Sequence, residues 1–159
     1  MIENTKKRKE FFIQIVLPLI IKENNIIKKD RRTLFDIINK SNNTTLELSW
    51  LEKKYKQYGV KSEDLSTLKI RMDVIPTSLA IAQAAKETGW GTSRFALEGN
   101  NLYGMREYDL TEPHIKPLKN LEANFGLKVY PTKCLSRHIE IFGNFLQCRT
   151  NARLFSQPL

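Results

Sequence analysis

The stretch that most constrains this chain runs from Ala80 to Gly104, AIAQAAKETGWGTSRFALEGNNLYG. Leu79, Ile81, Ala82, Ala84 and Ala85 are helix formers of little bulk, and Pro76 suits a first turn. Gly89 is a natural residue to follow a helix, so the helix is predicted to end at about Thr88. Glu87 then falls in the last turn, where unpaired carbonyls present the negative end of the helix dipole and a carboxylate is disfavoured. Breaches of this kind collect at functional positions. The dipole, together with partial burial beside Trp90, is expected to favour the protonated form of Glu87, the condition a general acid needs near neutral pH. Taken alone, a glutamate is more often a solvated surface group.

Downstream of the acid, Trp90 stands between Gly89 and Gly91 on a backbone with unusual freedom, which suits a tight bend presenting an indole. Thr92 or Ser93 is expected to cap a short helix running to Glu98 and ended by Gly99. Asn100, Asn101, Leu102, Tyr103 and Gly104 follow. A paired amide beside an aromatic can hold an N-acetylated sugar, and asparagines equally tie down loop backbone. Both readings stand for Asn101, and the structural one is favoured for Asn100.

The elements AQAA, E-x-GWG, SRFA and GNNLYG form a nearly continuous run that resembles the glucosaminidase family of peptidoglycan hydrolases, most closely its Bax-like branch. Weaker similarity extends through FFIQIVLPLI and RMDVIPTSLA upstream and KVYPT downstream. The resemblance implies a mainly α, lysozyme-like helical domain with a small β-hairpin beside the cleft. It also implies endo-beta-N-acetylglucosaminidase action on a β-1,4 bond of cell-wall glycan, amidase activity in the family, and a place in the cell envelope or periplasm. Glu87 would be the general acid, Gln83, one turn earlier on the same face, would orient it or a sugar, and Trp90, Asn101 and Tyr103 would meet substrate. A second catalytic group is expected on the downstream hairpin. Glu122 is preferred over Glu107, Asp109 and Glu112, and the substrate's own acetamido group is a further alternative. Relatives of this branch usually continue with more helical sequence, which makes a shortened, non-catalytic binder of glycan or of a protein partner the alternative function.

Composition narrows the partners. With 159 residues and 41% apolar residues the chain is read as one compact domain. Its net charge of +9 and pI near 9.6 favour an anionic partner. No Lys/Arg stripe interleaved with aromatics appears, so nucleic acid is not expected. The cluster Lys6 to Lys9 reads as a solvated or membrane-facing flank. Cys134 and Cys148 lie on one predicted helix, about 21 Å apart, too far for a disulfide. Two Cys and two His at these spacings form no metal ligand set, and neither metal nor cofactor is expected. The sequence carries no signal for an oligomeric state.

The N-terminal residues 1–72 are expected to form a helical segment packing on a catalytic core of residues 73–159. KKRK followed by FFIQIVLPLII resembles the start of a secretory signal, but it lacks a small-residue cleavage site and is too short to span a membrane. It is therefore read as a structural helix over residues 6–29, bent at Pro18, with any export signal missing from this chain. Thr33 is expected to cap a second helix, residues 45–58 a third and Ser62 to Met72 a fourth. Trp50, Tyr55 and Tyr58 read as core rather than as a sugar platform. Leu127 to Tyr130 alternates like a strand, and Thr132 should cap a last helix striped by Leu135, Ile139, Phe142 and Leu146.

Overall fold

The computed structural model describes residues 4–118 and 122–131. They are mainly helical, with one small antiparallel sheet. Among them, the residues up to Glu23 and those from Ile75 onward form one compact unit, and Asn24–Val74 form another. The predicted last helix, with its two cysteines, lies outside the described residues.

Helix α1 runs unbroken over Thr5–Ile38, with Pro18 inside it. Phe12, Val16 and Ile20 recur every fourth residue and are all buried, as are Ile27, Leu34 and Ile37 further along. The apolar stretch near the start is thus a working part of the fold. No second helix begins at Thr33: its hydroxyl donates back to the Lys29 carbonyl, the bond a threonine makes inside a helix.

In the second unit, α2 spans Thr45–Gln57 behind a capping box. Thr44 Oγ1 accepts from the Glu47 amide, and the Glu47 carboxylate accepts from the Thr44 amide. Lys40 and the Thr44 bonds hold the Glu47 carboxyl down at about 2. The next helix, α3, is shorter than expected, Leu65–Arg71, because Asp64 rather than Ser62 caps it. The Ser62 hydroxyl turns instead to Glu52. Leu34, Ile37, Leu51, Tyr55, Tyr58, Leu68 and Met72 form a continuous core, with Trp50 packed at its edge. Tyr55 and Tyr58 are therefore interior groups, while Leu48 on the same helix is exposed.

The first unit holds α4, Thr77–Thr88, and α5, Arg94–Gly99. Ser93 caps α5 by accepting from the Ala96 amide, but the left-handed residue that ends it is Asn100 rather than Gly99. Gly99 is small for a different reason: a Cβ there would lie 2.9 Å from the Ile115 side chain.

The expected hairpin is a three-stranded sheet. β1 (Arg106–Glu107) and β2 (His114–Ile115) both pair antiparallel with β3 (Gly126–Lys128), which lies between them. Its registers set Arg106 against Leu127 and Ile115 against Leu127. Of the expected strand Leu127 to Tyr130 only Leu127 and Lys128 lie in the sheet, and Tyr130 instead binds the end of α5. Its amide donates to the Gly99 carbonyl, and its own carbonyl accepts from the Asn100 side chain.

Leu68 is fully buried in the second unit's core. Replacing it by Ala should lower unfolding free energy by about 2–5 kcal/mol, measured by urea denaturation.

Candidate active site

The end of α4 is built around Thr88, which is fully buried. Its hydroxyl donates to the Ala84 carbonyl at 2.6 Å and accepts from the Gly91 amide at 2.9 Å. The Thr88 carbonyl accepts from the amides of Thr92 and Ser93. These bonds clasp three successive left-handed residues, Gly89 (φ 56), Trp90 (φ 61) and Gly91 (φ 81). A tryptophan in that region is uncommon and costs backbone energy. Two contacts offset it: the indole meets Phe12 of α1 edge-on at 5.8 Å, and the Lys9 ammonium sits 5.0 Å over the ring.

This geometry corrects one expectation. Glu87 is exposed rather than partly buried, because the left-handed turn carries the indole to α1. The Glu87 carboxylate accepts a 2.9 Å hydrogen bond from Gln83 Nε2, one turn back along α4. On its other side stands Gly104 (φ 64), where an added Cβ would come within 3.3 Å of Glu87 Oε2. The structure therefore brings together Gln83, Glu87 and the end of the 100–104 loop.

That loop is held from within by Asn101, which is only 2% exposed. Its Nδ2 donates to the carbonyls of Met105 at 2.8 Å and Lys128 at 2.9 Å, and its Oδ1 accepts from the Met105 amide. The side chain thereby ties the loop to β3. Tyr103 is buried as well, and burial pushes its phenol well above the usual tyrosine range. Burial and the Glu107 charge push the Tyr130 phenol up to about 12.

The downstream acids are dispersed. Glu107 on β1 pairs with Lys128 and accepts from the amides of Tyr108 and Asp109, which holds its carboxyl below the usual range. Asp109 accepts from the hydroxyl and amide of Thr111, which also lowers it. Glu112 and Glu122 are exposed, Glu122 in the turn ahead of β3. Among the described residues no hydrogen bond or ion pair joins either to the Glu87 group. Nor do the described residues hold a cluster of His, Cys, Asp and Glu fit for a metal ion.

Residues 62–150, more than half of the chain, match the family described as mannosyl-glycoprotein endo-beta-N-acetylglucosaminidase. The chain belongs to the glucosaminidase family. It is also 36% identical over 105 residues to Protein bax of Escherichia coli (strain K12), covering 62% of this chain and 38% of that one. The chain thus spans well under half the length of this relative. No solved structure matches it.

Within this glucosaminidase-family chain, two residues that matter to the site escaped the sequence reading. Thr88 was read only as the expected last residue of the helix, and a hydroxyl at a helix end, able to bond nearby backbone, was the available signal. Gly104 was noted only as the end of a motif, although its missing side chain leaves the Glu87 carboxylate its room. Gly104→Ala should displace that carboxylate and destabilise the protein by about 1–2 kcal/mol through the positive φ, read by thermal unfolding and by a crystal structure of the variant. The Glu107 pair adds a pH dependence with a fixed sign. A carboxyl lowered on folding contributes stability above its unfolded value of 4.5, and that contribution is lost as pH falls through the lower folded value. Glu107→Gln should therefore flatten the acid limb of a stability-versus-pH curve.

Proposed function

We propose that this protein is a peptidoglycan hydrolase of the endo-beta-N-acetylglucosaminidase type, with Glu87 as its general acid. The observation that carries the reading is the setting of Glu87: an exposed carboxyl at a helix end, oriented by Gln83 and given space by Gly104. Family membership supports a glycosidase, and the positive net charge suits an anionic wall polymer.

In this mechanism Glu87 gives its proton to the glycosidic oxygen as the bond from that oxygen to the anomeric carbon breaks, and the bonding electrons leave with the oxygen. The new bond at the anomeric carbon comes from water or from the substrate's acetamido oxygen. Where water attacks directly, the second acid takes its proton; where the acetamido oxygen attacks first, water then breaks that carbon–oxygen bond and its proton returns to Glu87. Gln83 suits both protonation states of Glu87, since its amide can donate to a carboxylate or, turned over, accept from a carboxyl. Asn101 acts in this reading through the loop it fixes, while Trp90 and Tyr103 serve the cleft wall. Glu122 remains our choice for the second acid. The site of action is the cell envelope, with cell-wall glycan as partner.

A non-catalytic glycan binder is the second reading. It draws support from the engagement of Glu107 with Lys128 and of Asp109 with Thr111, which leaves the exposed Glu112 and Glu122 as the other downstream acids among the described residues.

Glu87→Gln keeps the side-chain shape and removes the proton donor. Release of reducing ends from purified wall should fall by about a hundredfold to ten-thousandfold while wall binding persists. Equal release by both proteins would remove Glu87 from the mechanism. Binding without release by the unaltered protein would select the second reading.

A further inference from the structure

The start of α1 carries an apolar feature that the glycosidase reading uses only at Trp90. Phe11 is 51% exposed and Ile15 61%, and on α5 Leu97 is 66% exposed. With Arg8, Phe12 and Trp90 these residues line an open groove of about 250 Å³ whose walls are almost wholly apolar. Contiguous exposed apolar surface of this sort marks an interaction site.

Charge identifies the partner. At about 100° per residue, Ile15 lies about 40° around α1 from Phe11, Lys7 about 40° to one side and Arg8 about 60° to the other. Lys22 returns to within about 20° of Phe11 three turns on. The acid of this segment, Glu10, stands about 100° away. Lys6, Lys7, Lys9 and Lys22 are exposed, and Arg8 Nε is buried at the groove without a hydrogen-bond acceptor. An exposed apolar strip flanked by cations, on a helix that is not apolar enough to cross a membrane, matches a helix lying in the interface of an anionic bilayer.

We propose that the first five turns of α1, with Leu97 beside them, form a docking surface for an anionic lipid bilayer. Phe11, Ile15 and Leu97 enter the headgroup boundary while Lys7, Arg8 and Lys22 meet lipid phosphates. The device would hold the protein at a membrane face without a spanning segment, and it does not depend on hydrolysis.

The test is co-sedimentation of the full chain with vesicles of mixed phosphatidylglycerol and phosphatidylcholine, against vesicles of phosphatidylcholine alone. The expected result is binding to the anionic vesicles that weakens with added salt, and little binding to the neutral ones. Phe11→Ser combined with Ile15→Ser should lower partitioning by about tenfold with melting unchanged, because both side chains are already exposed. Lys7→Gln with Lys22→Gln should lower it on anionic vesicles only. Equal binding to both vesicle types, or full binding by the Phe11/Ile15 variant, would overturn the proposal. So would a concentration-dependent dimer abolished by that variant, which would give the strip to a second copy of the chain.

Discussion

The hydroxyl of Thr88 is the interaction on which the site depends. One buried oxygen donates into the last turn of α4 and accepts from the amide three residues on, so the chain reverses through three left-handed residues without stranding its polar groups. Everything that distinguishes the region follows from that reversal. It stops the helix with Glu87 still at the surface, sends Trp90 to α1, and starts α5 from Ser93. Asn100 and Asn101 then return the chain to the sheet and bring Gly104 alongside the carboxylate.

Much of this was legible in residue types. A run of small helix formers followed by glycine predicted α4 and its end, and of the two caps named for α5, Thr92 or Ser93, it is Ser93 that serves. Part of the interior of the second unit was legible too, in Tyr55 and Tyr58, which were read as core. Membership of the glucosaminidase family was also visible in the motif run, since those residues are close together in sequence.

What the sequence concealed depends on distant neighbours. Within the continuous α1 the Thr33 hydroxyl bonds backward, and the same residue type also serves as a cap, so its identity alone did not tell the two apart. Strands of two and three residues are too short to show a period, so the third strand of the sheet left no pattern. The exposure of Glu87 turned on the direction of the Trp90 indole, which is decided by Phe12 and Lys9 about eighty positions earlier. A second catalytic acid stays a matter of proposal for the same reason, because Glu122 has no partner in sequence to fix its place.

The amide of Asn101 has one more consequence. Its nitrogen faces two carbonyl oxygens, from Met105 and Lys128, so no acidic side chain of the same size can stand there without turning two attractions into repulsions. The join between the loop and the sheet thus rests on the chemical identity of one amide nitrogen and not on the space its side chain fills.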